Sequence, residues 1–318
     1  MKLLDDVDSF QQRHPAAGVL VAVQRKYSDD EGGKLAATIA YYGFFSLFPL
    51  LLVFVTGLGF VLASHPHLQE RVVGSALGRF PVVGPQLVVG GLHGSGLALG
   101  LGLVAALWAG LAVMSAVGSA FDRLWGVPFT RRPGFPKAQL RSLVALLAFG
   151  GGIMLSTVAA GVGTSGGTYG VGFKALGIIL SLLLDVGLFW VAFRVLTSAT
   201  VSWRELWPGA VAAAALWGLL QAVGGIYVAH VLASSSNTYG TFALVIGLLS
   251  WIYLGAHITL LCAEANVVLT RGLWPRSVSV VGERPRTVAD EKALRQRAEV
   301  EQRRNDQEVD VKFEKAES

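Results

Sequence analysis

The sequence predicts an all-α, polytopic membrane protein, a bundle of six transmembrane helices with short interfacial helices, and three observations carry that reading. Hydrophobic residues make up 53% of the chain and charged ones only 15%, with a mean hydropathy of +0.55, whereas soluble domains carry about 25% charged residues. The charge is segregated, because residues 283–318 hold nine Lys/Arg and ten Asp/Glu while the apolar runs hold almost none. The run 241–269 is long enough to cross a hydrocarbon core of ~30 Å at ~1.5 Å per residue.

Residues 1–34 are expected to form an amphipathic segment at the cytoplasmic surface, since the apolar piece at 16–23 is too short to span. Ser28 and Glu31 have capping-box spacing, although Gly32 and Gly33 weaken a helix begun there. The stretch is too polar for the core of a signal peptide, so no cleavable leader is expected. The first span is placed at 35–62, with Pro49 near its middle. Proline removes one backbone hydrogen bond, so a kink is expected there, with Ser46 available to satisfy a freed carbonyl. Between 63 and 95, apolar Leu68, Val72, Val73, Ala76, Leu77 and Phe80 oppose Gln69, Glu70, Ser75 and Arg79, the pattern of a helix lying in the outer interface. Further spans are placed at 96–121, 140–162, 171–196, 206–232 and 241–269, which completes a membrane domain over 35–270. Small residues crowd these runs and allow close helix packing in lipid. The charged tail, 271–318, reads as a solvated or partly disordered helix, because its charge is nearly balanced.

Orientation follows from Lys and Arg. The N-terminus holds five, the segment 122–141 five, the segment 194–204 two and the tail eleven, against three (Arg71, Arg79 and Lys174) on the opposite side. Both termini are therefore expected to be cytoplasmic.

Polar groups inside the spans are the candidate site. Ser250, His257 and Glu264 recur every seven residues with Tyr253 between them, so they share a face that should meet protein or water. Asp185 falls near the expected midplane, where an unpaired carboxylate is costly. A cavity lined by Ser46, Asp185, Gln221, Ser250, Tyr253 and His257 is one reading, and a neutral Asp185 hydrogen-bonded to Ser46, Gln221 or Tyr253 is the other. Glu264 lies near the end of the last span, and Asp122, Arg123 and Arg194 fall at similar depth, so a salt-bridged belt is expected there. The single cysteine, Cys262, excludes an intramolecular disulfide and a cysteine zinc site.

Several stretches resemble the YihY/virulence factor BrkB family of bacterial inner-membrane proteins, historically called ribonuclease BN. They are AYYGFFSLFPLLL at 40–52, WRELWPGA with Pro208 and Gly209, Tyr227, Tyr239 with Gly240, and LLSWIYLGAHITLLCAEANVVL with Trp251, Tyr253, Glu264 and Asn266. The basic segment FDRLWGVPFTRRPGFPKAQLRS is a weaker match. Cys262 stands where the family commonly has glycine, His257 where glutamine is frequent, and Thr197 where proline is often seen. The resemblance implies a six-span bundle of the bacterial inner membrane, with one branch linked to lipid or lipopolysaccharide-precursor export.

The residues do not support the ribonuclease label. The six histidines are scattered, and nothing has the spacing of a metal, P-loop or nucleophile motif. No enzyme, cofactor, metal or nucleic-acid partner is therefore expected. The leading expectation is a transporter-like protein in a lipid bilayer that moves an envelope lipid or another amphipathic or anionic small molecule. The alternative is a non-transporting scaffold that recruits partners through its tail, and a ribonuclease BN-type nuclease is a remote third that no metal motif supports. Substrate and oligomeric state are left open.

Overall fold

The computed structural model describes residues 11, 13–63, 96–164, 171–234, 240–277 and 287–313. It is all-helical, with eight α-helices and no strand among the described residues. In chain order these are α1 (Pro15–Asp29), α2 (Gly32–Ala63), α3 (Gly96–Leu124), α4 (Lys137–Thr164), α5 (Val171–Leu196), α6 (Trp203–Ser234), α7 (Gly240–Arg271) and α8 (Val288–Glu299). Five stretches are long and apolar enough to cross a membrane: Gly32–Phe54, Gly96–Leu124, Leu176–Leu196, Trp203–Gly224 and Val245–Arg271. The expected count of six is thus met by five among the described residues. The remaining expected span, 140–162, lies within the 28-residue α4, whose side chains from 156 onward are outside the described residues. The interfacial helix expected within 63–95 lies outside them too.

Local chemistry sets the helix ends. Pro15 opens α1, where its fixed φ suits the first turn and its missing N–H costs nothing. Ser28 and Glu31 do not form the expected capping box. Glu31 instead adopts φ 58°, and this left-handed turn lets Gly32 and Gly33 begin α2 rather than delay it. Further on, α2 stays helical through Pro49. The Ser46 hydroxyl donates to the Gly43 carbonyl at 2.7 Å, not to the carbonyl that Pro49 frees four residues back, because a serine reaches its own preceding turn most easily. Both α3 and α7 end in the same way. Val127 N–H donates to the Asp122 carbonyl and Gly126 N–H to that of Arg123, while Leu273 N–H donates to the Val268 carbonyl. Gly126 and Gly272 supply the positive φ, 68° and 62°, that these turns require.

The chain divides into two compact units. One comprises residues 38–113 and 223–253. Within it α2 meets α7 where Ile252 lies against Gly43, and α3 where Val53 lies against Gly102. On α3, Leu97, Leu101, Val104 and Trp108 form an exposed stripe, each more than half exposed, as a lipid-facing surface requires.

The other unit comprises residues 1–37, 114–222 and 254–318. Its core contains Phe121, Leu124, Phe193, Leu196, Leu206, Leu260 and Leu273, all essentially inaccessible. The Phe121 and Phe193 rings meet edge-on at 5.4 Å. Helices α4 and α5 pack along each other. Phe149 meets Phe189 and Leu188 covers Gly152, while Arg141 at the other end meets Ser198, so the pair runs antiparallel.

Candidate functional site

Within this second unit, polar side chains near the C-terminal ends of α3, α5 and α7 and the N-terminal ends of α4 and α6 form several separate ion-paired and hydrogen-bonded groups. At the centre of one is Glu264, fully buried on α7. A carboxylate there needs a cation, and α1 supplies Lys26, which is 3% exposed. Lys26 Nζ stands 3.2 Å from Glu264 Oε2, pairs with Asp30 and donates to the Leu124 carbonyl at 2.8 Å. One ammonium thus joins α1, the end of α3 and α7. Burial works to lower the Lys26 pKa, but Glu264 and Asp30 together overcome it and the net shift is upward. The charged form is therefore kept at neutral pH, and its contribution is lost only as pH rises through that elevated value. Neither Glu264 oxygen accepts a directed hydrogen bond among the described residues, so its stabilisation rests on charge.

At the next residue of α1, the Tyr27 hydroxyl is 2.6 Å from His257 Nδ1 on α7. The two rings meet edge-on with centroids 4.8 Å apart.

The next contact joins α6 to α7. Pro208 sits inside the first turns of α6, where it lacks the N–H that would continue the ladder. The carbonyl this frees is that of Arg204, four residues back; Asn266 of α7 instead ties down the backbone on either side of Pro208, its Oδ1 accepting from Gly209 N–H at 2.7 Å and its Nδ2 donating to the Leu206 carbonyl at 3.2 Å. Gly209 is what permits this approach, since a Cβ there would lie 2.3 Å from the Cys262 carbonyl oxygen and 2.5 Å from Asn266 Nδ2.

Asp122 closes the opposite side. Its oxygens accept from the Ser198 N–H at 2.6 Å and the Ser198 hydroxyl at 2.9 Å, and Arg141 Nη2 lies 3.3 Å away. This single carboxylate holds the ends of α3, α4 and α5. Arg123 reaches Glu31 at 3.8 Å, and Arg194 lies over the Trp203 ring at 6.0 Å. The four residues expected to form one belt therefore take separate partners. Glu264 has Lys26, Asp122 has Ser198 and Arg141, Arg123 has Glu31, and Arg194 has Trp203.

Beyond α7, Arg276 binds the remaining elements. Its guanidinium lies 2.8 Å from Asp29 at the end of α1 and 2.9 Å from Asp290 in α8, and its carbonyl accepts from Gln11. Asp290 also completes a capping box with Thr287, each side chain accepting the other's backbone N–H at 3.1 Å. The tail expected to be solvated thus contains a docked helix, with Ala289, Asp290 and Ala293 buried. Burial would raise the Asp290 pKa, but the hydrogen bonds from Arg276 and Thr287 prevail and the net shift is downward. A depressed carboxyl stabilises above its unfolded value, near 3.9, and loses that contribution as pH falls through its folded value. Acidification below about pH 4 should therefore release α8, and D290N should release it at neutral pH. Hydrogen exchange of residues 288–299 reads both effects, and unchanged protection in D290N would contradict this account.

The six residues expected to line a cavity are distributed over both units. Ser46, Ser250 and Tyr253 belong to one, and Asp185, Gln221 and His257 to the other. Asp185 is half-buried midway along α5, while Gln221 and Ser250 are exposed. Sequence reasoning missed Lys26, Arg276 and Asp290. Of these, only Asp290 had a local signal, the Thr287-to-Asp290 capping spacing. Among the described residues, no group of three His, Cys, Asp or Glu could hold a metal ion.

The family described as Virulence factor BrkB matches residues 23–278. Among curated proteins, the inner membrane protein YhjD of Escherichia coli is 24% identical over 274 residues, covering 79% of this chain and 81% of that protein. A UPF0761 membrane protein of Acinetobacter baylyi is 22% identical over 260 residues, 79% of this chain but only 62% of that protein. A ribonuclease-like protein of Bacillus subtilis, YfkH, is 26% identical over 260 residues, covering 77% and 92%. No solved structure matches.

Proposed function

This chain belongs to the BrkB family and is an integral membrane protein, and from that premise we propose that it is a transporter of an envelope lipid or another amphipathic or anionic small molecule. The observation that carries the reading is Asp185, an ionisable side chain half-buried in the apolar middle of a helix whose other charges, Lys174 and Arg194, lie near its ends. Such groups in membrane helices are costly and mark substrate or ion paths. In this reading Gln221 and His257, which belong to the same unit as Asp185, supply further polar points of the path. In this reading the protein sits in the bacterial inner membrane, like the Escherichia coli relative named for that membrane, and the excess of Lys and Arg in the terminal segments and 122–141 supports cytoplasmic termini.

The test is flux of envelope lipids and small anions in inverted vesicles carrying wild type or Asp185→Asn at matched insertion. Asp185→Asn should lower flux by more than about tenfold, the factor that ~1.4 kcal/mol represents. Equal flux in both would remove Asp185 from the path. No flux of any candidate, with both proteins folded, would favour a scaffold acting through its tail.

A further inference from the structure

We propose that the hollow between the glycine-capped ends of α3 and α7 and one face of α8 is a binding site for a phosphate-bearing anion. The cavity is about 460 Å³, and Arg131, Arg271, Lys292 and Arg295 line it, with Glu299 the one carboxylate among its lining residues. That volume lies in the range of small-molecule sites. The proposal concerns a site apart from the transport path and holds whether or not the chain transports.

Three features distinguish this cavity from an ordinary solvated surface. First, its cations come from three separate elements. Arg131 follows the Gly126 turn, Arg271 ends α7, and Lys292 and Arg295 are three residues apart on α8, so they share a face. Convergence of like charges is unfavourable unless an anion offsets it. Second, none of the four has a carboxylate partner among the described residues, a state they share with Arg132 and Arg297. Lys26, Arg123, Arg141, Arg276 and Arg304 each have a carboxylate oxygen within 3.8 Å, whereas Arg131, Arg271, Lys292 and Arg295 make no ion pair among the described residues. Arg295 lies over the Phe313 ring at 5.8 Å, a cation–π contact that offsets its charge only in part. Third, the competing negative ends of the two helices are partly satisfied, because the carbonyls of Asp122, Arg123 and Val268 already accept the capping bonds.

Phosphate suits this arrangement, since guanidinium groups bind its oxygens in pairs and an ammonium adds a point charge. Arg271 is the last residue of a candidate span, so the anion is either a phospholipid headgroup or a free phosphate.

The experiment uses the full chain in phosphatidylcholine nanodiscs titrated with inorganic phosphate, with chloride holding ionic strength constant, and read by ³¹P line broadening and thermal stability. A second arm replaces part of the phosphatidylcholine with phosphatidylglycerol and measures which lipid co-purifies. K292Q/R295Q should bind the probe about tenfold more weakly. R204Q/R304Q, which removes equal charge from exposed positions outside the cavity, should bind like wild type. Lys292 and Arg295 are exposed, so the pair variant should melt like wild type without the probe. Selective loss in the phosphate arm identifies a free anion, and selective loss confined to the phosphatidylglycerol arm identifies a headgroup. If neither probe separates wild type from K292Q/R295Q, or if R204Q/R304Q loses as much, the site does not exist.

Discussion

Replacing Lys26 with methionine is expected to destabilise the protein by about 3–5 kcal/mol, the cost of stranding a buried charge. The variant would leave Glu264 fully buried and Asp30 only 5% exposed without their shared cation. It would also leave the Leu124 carbonyl without the ammonium that donates to it. Glu264→Gln should be much milder, because it removes the deeper carboxylate while the Lys26 pairing with Asp30 survives. The asymmetry follows from desolvation. A cation between two carboxylates can lose one of them, but two buried carboxylates cannot lose their cation. The double variant Lys26→Met with Glu264→Gln should therefore be more stable than Lys26→Met alone, although it carries one more substitution. Thermal melts in mild detergent would read the order, with the Lys26→Met transition lowered by roughly ten degrees. If Lys26→Met melts no lower than Glu264→Gln, the ion pair does not hold this end of the protein together.

The second large effect is expected where α6 meets α7. Asn266→Ala leaves the Gly209 N–H and the Leu206 carbonyl without the side chain that pairs with both. At about 1–3 kcal/mol for each buried polar group left unmet, the loss should reach several kcal/mol. Gly209→Ala attacks the same contact by crowding, since one of the atoms its Cβ meets is a backbone carbonyl oxygen that no rotamer change can move aside. Overpacking of this kind costs about 1–3 kcal/mol. Because both substitutions open the same contact, the double variant should cost less than the two separate losses added together. Strict additivity in the melts would mean that Asn266 and Gly209 act independently, contrary to this geometry.

The spans were legible because hydropathy along a membrane helix is a bulk property that any window of twenty residues reveals. Partners of the polar groups were not, and Glu264 shows why. Its depth near the end of the last span was readable, and basic residues at equal depth on other spans were the natural candidates. Its cation comes instead from α1, a helix too short to span, and sequence patterns do not say where such a helix docks. Capping boxes show a different limit. The spacing at Ser28 and Glu31 matches the motif, but Glu31 turns left-handed there. The same spacing at Thr287 and Asp290 does form the box, because Arg276 fixes the carboxylate in place. The tail looked solvated because charge balance describes its composition and says nothing of Ala289 and Ala293, which are small enough to let α8 lie close.

The contacts of the N-terminal segment also constrain how the protein is made. Gln11 binds Arg276 across 265 positions of sequence, and Tyr27 meets His257 across 230. A ribosome releases α1 long before it makes either partner. Lys26 and Asp29 must therefore stay hydrated while the apolar helices enter the bilayer, and a helix made before them becomes one of the last to dock. Closure of this end is the final step of assembly, so a chain stalled anywhere before α7 would display α1 to solvent and to proteases.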